Sequence, residues 1–260
     1  MISKLRQRRQ RNMSIATHSR WNHKQSLKEI IRHGLYRSGT YRLLDKLRRL
    51  KGLEFDHLDQ RDRSRRFEMI YELGVWRQGK DQVAASGAGS ELEATEGVRS
   101  SLTGLLSDLK VQTLVDVGCG DWTWMSQLEL PCNYLGLDIV ENVVKSNLAA
   151  YGKPGIDFRR LDAVAEPIPD CNAVLCREVI FHLSFADGLS LINNIKCHAE
   201  WLIITTDTSI WFNSDIPSGD FRMLNLQYRP FRFPRPEREI CDDFVAGGRK
   251  LSLWRTESLP

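Results

Sequence analysis

The sequence predicts an α/β fold: a doubly wound, mostly parallel sheet with a basic helical extension at the N-terminus. Three observations support this prediction. Short apolar runs of strand length alternate with stretches of helical periodicity in the second part of the chain, as in parallel sheets that are covered on both faces. A Gly-x-Gly turn at residues 118–120 follows the first of these runs. Positive charge is concentrated before residue 67.

The N-terminal extension carries the positive charge. Residues 1–66 hold 19 Lys or Arg against 6 Asp or Glu, whereas the rest of the chain holds 18 basic and 27 acidic side chains. We therefore predict two parts, 1–66 as a basic arm with helices and 67–260 as the main domain. Residues 1–25 lack apolar periodicity, and two basic amphipathic stretches follow. We expect these two stretches to contact either an anionic membrane surface or RNA, or to pack on the protein's own domain.

The main domain is expected to begin with a helix after a capping box of Ser90 and Glu93. Five buried strands should follow, with helices between them as right-handed crossovers. One further strand near the C-terminus is expected to form the antiparallel edge of the sheet. The predicted strands are Thr113–Val117, Tyr134–Leu137, Ile156–Leu161, Ala173–Cys176, Trp201–Thr205 and Lys250–Arg255.

A nucleoside pocket is predicted at the ends of the first two strands. Gly118 and Gly120 follow the first strand, and they would let a ligand lie against bare backbone. Asp138 ends the second strand, where a carboxylate can accept hydrogen bonds from ribose hydroxyls. We therefore expect a nucleoside cofactor to lie across these two strand ends.

Two further residues indicate the kind of nucleoside. A dinucleotide-binding turn has a third glycine, in the pattern G-x-G-x-x-G, where this sequence has Thr123. Asp116 lies two residues before the first glycine, and its carboxylate would repel a diphosphate but attract a free ammonium group. NAD and FAD are therefore disfavoured, and a nucleoside joined to an amino acid is favoured. The alternative for Asp116 is a turn or capping acid.

These motifs resemble the core of class I S-adenosylmethionine-dependent methyltransferases, over roughly residues 90–210. Asp116, Gly118 and Gly120 match the family's first motif, although Trp122 stands where that motif usually has its third glycine. The resemblance implies a Rossmann-like fold and S-adenosyl-L-methionine as the cofactor, with Asp162 beside the adenine amino group. The cofactor pocket that it implies consists of Asp116, Gly118, Cys119, Gly120, Asp138, Ile139, Asp162, Ala163 and Glu178.

Two residues are candidate bases for a hydroxyl acceptor. The resemblance places His182 after the fourth strand, beside the expected position of the methyl group, and Asp207 follows the fifth strand. The alternatives are a histidine that stabilises its own helix and a turn acid. Glu178, in the same motif as His182, is expected to order the cofactor pocket or to cap the helix.

The segment 211–236 is a candidate acceptor-binding lid, because aromatic and arginine side chains alternate there with little regular pattern. Trp211 and Arg222 are the candidate acceptor contacts. Interleaved aromatic and arginine side chains suit sugars, phosphates or nucleobases alike. The alternative is that the aromatic side chains pack against the edge of the sheet.

The predicted function is transfer of a methyl group to a hydroxyl of a small molecule or glycan by in-line displacement. No acidic cluster follows the fourth strand, so we expect no catalytic metal. The alternatives are an RNA methyltransferase that uses residues 1–66, and a scaffold protein that keeps the cofactor fold without turnover.

The composition of the chain bears on the cellular location of the protein. The six cysteines form no C-x-x-C pair, and no run reaches the roughly eighteen apolar residues of a membrane span. We therefore expect a cytoplasmic protein, either free or held peripherally at the inner face of the membrane. The basic composition of residues 1–28 also resembles a mitochondrial transit peptide.

Overall fold

The computed structural model describes residues 56–77, 84–242 and 248–260, and of the first 55 residues only Leu27, Ile31 and Leu50. The predicted arm and the two amphipathic stretches after it therefore lie outside the described residues, apart from those three positions. Within the described residues, no helix is long and apolar enough to cross a membrane.

Seven strands form one sheet: β1 (Thr113–Val117), β2 (Asn133–Asp138), β3 (Ile156–Arg160), β4 (Cys171–Cys176), β5 (Ala199–Asp207), β6 (Arg238–Cys241) and β7 (Arg249–Arg255). Their order is β3-β2-β1-β4-β5-β7-β6. The first five strands are parallel, and β7 is antiparallel to both of its neighbours. The predicted fold class is confirmed. The order of the strands reverses between β1 and β4, which is where such sheets bind ligands.

The last strand is antiparallel to β5, as predicted, with Ile203 opposite Leu253. It is not the edge of the sheet, because β6 pairs with its other side, so that part of the prediction is wrong. β6 has only four residues, of which Ile240 is the single buried one. A strand this short and this polar has no apolar run by which it could be identified.

Helices cover both faces of the sheet: α1 (Arg63–Glu72), α2 (Glu96–Asp108), α3 (Glu141–Tyr151) and α4 (Phe185–His198). Successive side chains of a strand point to opposite faces. Leu114 packs in the core layer that contains α2, and Val115 packs in the layer that contains α1 and α4. The central strands are therefore buried on both sides, which explains why they appear in the sequence as continuous apolar runs.

Helix α2 begins later than predicted. Ser90 lies at the end of a short 3-10 helix, and α2 starts at Glu96. Thr95 precedes it, but the Thr95 hydroxyl donates a hydrogen bond to the Glu91 carbonyl at 3.0 Å and does not cap the helix. The predicted capping box of Ser90 and Glu93 is therefore wrong.

Helix α1 crosses the predicted boundary at residue 66. The Asp62 carboxylate caps its first turn by accepting a hydrogen bond from the Arg65 backbone N–H at 2.8 Å. Phe67 and Ile70 of this helix are buried in the core of the domain. The predicted division therefore falls within a helix that packs on the sheet.

Candidate functional site

A cleft lies at the carboxyl ends of β1, β2 and β4, beside the point where the strand order reverses. Three predicted site residues, Asp207, Trp211 and Arg222, are not among the described residues that line it. The other ten predicted site residues do line the cleft: Asp116, Gly118, Cys119, Gly120, Asp138, Ile139, Asp162, Ala163, Glu178 and His182.

The turn after β1 depends on its two glycines. Gly118 has φ 69° and Gly120 has φ 59°, in the left-handed region that other residues rarely adopt. A Cβ atom on Gly118 would lie 2.3 Å from Cγ2 of Val179, and one on Gly120 would lie 2.9 Å from Cβ of Ser86. The turn is therefore held tightly between the segments that precede α2 and follow β4.

Trp122 takes the place of the family's third glycine by packing inward. Its φ is 58°, and its side chain is only 4% exposed. The indole contacts the rings of Tyr134, Tyr151 and Phe158, with centroids 4.9 to 5.4 Å apart. This residue is therefore part of the core, whereas Trp124 lines the cleft.

Asp138 ends β2 with its carboxylate facing the glycine turn. Its Oδ2 accepts a hydrogen bond from the Gly120 backbone N–H at 3.1 Å, and its Oδ1 accepts one from the Val140 N–H at 3.0 Å. Burial raises the pKa of Asp138, although these backbone donors oppose the shift. A carboxylate has about four lone-pair positions, so Asp138 can accept from a ligand hydroxyl in addition to these backbone donors.

Asp116 is a buried carboxylate on the cleft side of β1. The Tyr134 hydroxyl donates a hydrogen bond to its Oδ2 at 2.7 Å. The pKa of Asp116 is raised to about 7, mainly by burial and in part by the charge of Asp138, against the opposing effects of the hydrogen bond from Tyr134 and the charge of Arg177. A cationic ligand group placed here would stabilise the ionised form.

Asp162 follows β3 and is held by Arg63 of helix α1. Arg63 Nη2 lies 2.7 Å from Asp162 Oδ2, and Arg63 Nε lies 3.1 Å from the same oxygen. The same guanidinium contacts Asp187 of α4 at 2.8 Å. Sequence reasoning did not identify Arg63, because its partners are distant in the chain and no local pattern connects them.

Glu178 follows β4 and combines an unusual backbone with an ion pair. Its φ is 68°, and Arg249 Nη1 donates to its Oε2 at 3.0 Å. Its Oε1 is buried and has no hydrogen-bond partner among the described residues. Burial raises the pKa of Glu178, while Arg249 opposes the shift. Strained backbone and unpaired buried oxygens are concentrated at functional sites.

Arg177, beside Glu178, lines the same part of the cleft. Its Nη2 lies 2.7 Å from Asp242 Oδ1, and both side chains of this pair are almost fully buried. The guanidinium also lies 5.4 Å from the centre of the Trp124 ring. Its charge is therefore already balanced within the protein.

His182 lines the cleft with a neutral imidazole. Its Nδ1 lies 3.0 Å from the Asp220 carbonyl oxygen, and since a carbonyl only accepts, we infer that Nδ1 carries the proton. Burial lowers the pKa of His182 to about 4. The ring lies between Trp76 and Phe221, with centroid distances of 4.9 and 5.3 Å. Nε2 therefore holds a free lone pair.

Helix α1 and the turn after it form one wall of the cleft. Arg63, Phe67 and Tyr71 recur at four-residue intervals on one face of the helix, and all three line the cleft together with Trp76. In the sequence, Phe67, Tyr71 and Trp76 appear as an aromatic-rich stretch at the start of the main domain. The four-residue spacing indicates a common face, but nothing in the sequence indicates that this face meets the ends of β1 and β2.

Asp207 lies outside the cleft although it ends β5. Its side chain is fully buried, and its Oδ1 accepts hydrogen bonds from the backbone N–H and the hydroxyl of Ser209 at 2.9 and 2.5 Å. This is the geometry of a turn-forming acid, the alternative considered above. The structure does not bring Asp207 together with His182 at the cleft.

Arg222 is buried, with 1% of its surface exposed. Its guanidinium donates to the backbone carbonyls of Ser214, Ile180, Phe181 and Leu183 at 2.8 to 3.1 Å. The expectation that this side chain lines the acceptor space does not fit its position, since these carbonyls already engage its donors.

Trp211 is 54% exposed and lies beside Phe212, with ring centroids 6.5 Å apart. Like Arg222, it does not line the cleft. Among residues 56–77, 84–242 and 248–260, no group of three His, Cys, Asp or Glu side chains is arranged to hold a metal ion.

No family model matches the sequence, and no curated protein matches it. Similar solved structures include the mitomycin 7-O-methyltransferase MmcR, with 15% identity, 66% of this chain and 55% of that chain covered, and a TM-score of 0.49. The methyltransferase domain of bacterial CtHen1-CN has 13% identity, with 62% of this chain and 99% of that chain covered and a TM-score of 0.46.

A third similar structure is an S-adenosylmethionine-dependent methyltransferase from Clostridium acetobutylicum ATCC 824. It has 10% identity, with 43% of this chain and 50% of that chain covered, and a TM-score of 0.38. The chain thus spans about half the length of this protein and of MmcR. These are similarities of fold.

Proposed function

We propose that the chain is an S-adenosylmethionine-dependent methyltransferase that methylates a hydroxyl group of a small molecule or glycan. The observation that supports this most strongly is that Asp116, Asp138 and His182 line one cleft around a glycine turn. Asp138 is suited to ribose hydroxyls, Asp116 to an ammonium group, and His182 to the proton of the acceptor.

The charges of the cleft suit this cofactor better than a dinucleotide. Two buried carboxylates, Asp116 and Asp138, lie at the turn. An acid at the position of Asp138 binds ribose in dinucleotide folds as well, whereas an ionised Asp116 would repel a diphosphate. Arg177 lines the same region, but Asp242 already neutralises it. When bound, S-adenosylmethionine supplies a methyl group activated by attachment to a cationic sulfur.

His182 is the proposed base. A general base must be unprotonated at the working pH, and the lowered pKa of about 4 leaves this imidazole neutral near pH 7, while it also makes the free imidazole a weaker proton acceptor. The contact between Nδ1 and the Asp220 carbonyl orients the ring and leaves the Nε2 lone pair to accept a proton from the acceptor hydroxyl. The rings of Trp76 and Phe221 contact the imidazole and help to fix its position.

The basic extension supports a second candidate, an RNA methyltransferase, because 19 Lys or Arg lie in residues 1–66. Arg63, near the end of this extension, and Arg177 line the cleft, and both are paired with carboxylates. RNA binding would therefore depend on the other basic residues of the extension, and we place the small-molecule or glycan acceptor first. The same extension is the proposed contact with an anionic membrane inner face, in a cytoplasmic protein.

Calorimetric titration with S-adenosylmethionine tests the cofactor assignment. Asp138→Ala should weaken binding at least about tenfold, since a hydrogen bond to a charged group is worth roughly 1.5–3 kcal/mol. Asp170→Ala is the matched control, because the Asp170 side chain is 90% exposed, on the loop before β4. A folded wild-type protein that does not bind would refute the assignment and favour a scaffold protein.

Transfer of a labelled methyl group tests the acceptor class. Wild-type protein is incubated with labelled cofactor and with small hydroxyl compounds, glycans or RNA. His182→Gln should retain cofactor binding and lose transfer to a hydroxyl acceptor. Transfer to RNA alone, with an affinity that falls steeply with salt and is lost on deletion of residues 1–25, would replace the small acceptor with RNA.

A further inference from the structure

Helix α1 holds the loop that orients His182. We call residues 218–220 the imidazole-holding loop. An Arg66 amino group donates to the Ser218 carbonyl oxygen, and its second amino group donates to the Gln60 carbonyl oxygen. One side chain thus ties the loop to the segment that leads into α1.

The Arg66 side chain also packs directly on the loop backbone. Gly219 has φ 99°, and a Cβ atom placed there would lie 2.7 Å from Cδ and 2.9 Å from Cγ of Arg66. Only a glycine admits both this conformation and this approach. His57, which is 2% exposed, contacts the Gly219 backbone from the turn before α1.

On its other side, the loop holds His182 and the residues that follow it. The Gly219 backbone N–H donates to the His182 carbonyl oxygen at 2.8 Å, and the Asp220 carbonyl oxygen lies 3.0 Å from His182 Nδ1. Ser218 Oγ accepts from the Ser184 N–H at 2.8 Å and donates to the Asp187 carboxylate. Any displacement of the loop would therefore move the acceptor of the imidazole proton.

We propose that Arg66 and Gly219 are positioning residues that set the orientation and the tautomer of His182 through the imidazole-holding loop. This inference rests on the proposed function, in which His182 is the base. It assigns to the last residues of the basic extension a part in building the site, in addition to any contact with an anionic partner. One helical turn earlier, Arg63 ties the same helix to Asp162 and Asp187.

The test is nitrogen-15 NMR of labelled histidine in the full-length protein, with the His182 signals assigned by their loss in His182→Gln. Wild type should show Nδ1 protonated and Nε2 unprotonated at pH 7. Arg66→Ala should move both signals toward values averaged over the two tautomers as the loop loosens. The charged groups that face the imidazole are Asp220, Arg222 and Arg249.

Arg65→Ala is the matched control. Arg65 lies on the same helix, and its replacement removes the same charge. Among the ion pairs of the described residues, it contacts only Glu68 and Glu72, whose side chains are 33% and 51% exposed. The His182 signals of the Arg65→Ala variant should equal those of wild type. Arg66→Lys, which keeps one donor for the Ser218 carbonyl, should restore part of the wild-type pattern.

Gly219→Ala disturbs the contact between Arg66 and the imidazole-holding loop by a change in the loop instead of in the helix. If Arg66→Ala fails to fold, this variant tests the inference. It should show the same loss of a single tautomer. Wild-type-like His182 signals in folded Arg66→Ala or Gly219→Ala protein would overturn the inference. Titration with S-adenosylmethionine separates this result from the proposed function: wild type that does not bind refutes that function, whereas the tautomer measurement still tests the positioning.

Discussion

Arg63 Nη2 lies 2.7 Å from Asp162 Oδ2, and this contact joins the first helix of the domain to the end of β3 across the candidate adenine side of the cleft. Both side chains are mostly buried, with 20% and 15% exposed. A buried ion pair loses more when one partner is removed than an exposed pair does. The geometry therefore predicts a measurable coupling between α1 and the cleft.

That coupling is measured by a double-mutant cycle with Arg63→Ala and Asp162→Ala, monitored by chemical unfolding. We expect an interaction free energy of about 1–2 kcal/mol. The control cycle uses Arg65 and Glu72, whose side chains are 47% and 51% exposed, and should give less than about 0.5 kcal/mol. Equal values for the two cycles would argue against a structural role for the Arg63 pair.

Gly118→Ala should impair both folding and cofactor binding. The left-handed backbone costs roughly 1–2 kcal/mol for a residue with a Cβ atom, and that atom would lie 2.3 Å from Cγ2 of Val179. Adding Val179→Ala should recover the part of the loss that comes from the clash and leave the backbone cost. The free energy of unfolding and the affinity for S-adenosylmethionine are measured for wild type, both single variants and the double variant.

Binding of S-adenosylmethionine should release protons near pH 7. The pKa of Asp116 is raised to about 7 from 3.8, so part of this group is protonated there, and a cationic ammonium beside it would favour ionisation. Calorimetry in buffers of different ionisation enthalpy measures the release, which should increase from pH 7 to pH 6 and be absent in Asp116→Asn. Equal proton release by wild type and variant would exclude Asp116 as the ammonium contact.

The raised pKa of Asp116 also affects the stability of the ligand-free protein. A carboxyl group whose pKa is raised on folding binds its proton more tightly in the folded state, so its contribution to stability is present below pH 3.8 and is lost as the pH rises to about 7. Relative to Asp116→Asn, wild type should therefore lose stability over that range. Unfolding curves of both proteins at a series of pH values measure it.

The contribution of His182 to the free energy of unfolding should depend on pH in the opposite way to that of Asp116. Its pKa is lowered from 6.5 to about 4 by burial, so the folded state resists protonation, and stability present above pH 6.5 is lost as the pH falls to about 4. The difference in stability between wild type and His182→Gln should shrink over this range.

Arg222→Ala should destabilise the protein rather than merely weaken acceptor binding. The side chain is 1% exposed and donates to four backbone carbonyls, and leaving them unpaired should cost more than about 3 kcal/mol. Arg235, which is exposed in the same segment, provides the control variant. Unchanged unfolding of Arg222→Ala, together with impaired transfer, would restore Arg222 as an acceptor contact.

The positions that the sequence predicts well are those whose role follows from their neighbours in the chain. Gly118 and Asp138 follow strands that can be recognised from their own apolar runs, so their place at the cleft follows from the fold class. Two arginines that hold carboxylates of the cleft were missed because they act through distant partners. Arg63 pairs with Asp162, and Arg249 pairs with Glu178, and no local pattern indicates that either pair will meet.

The segment 211–236 shows a second limit on what the sequence can predict about binding residues. Its aromatic and arginine residues have the composition of a binding surface, and composition does not distinguish a side chain that faces a ligand from one that holds a loop. Arg222 holds the backbone at residues 180–183 and 214, and Phe231 and Phe233 are buried in the core. Only the three-dimensional contacts separate these two roles.

The arginines that pair with carboxylates of the cleft come from opposite ends of the domain. Arg63 belongs to its first described helix and Arg249 to its last strand, and each is paired with a carboxylate that lines the cavity. During synthesis, Glu178 therefore lacks its ion-pair partner until β7 has left the ribosome. A ligand in the cleft should protect full-length chains from degradation more than chains that terminate before β7.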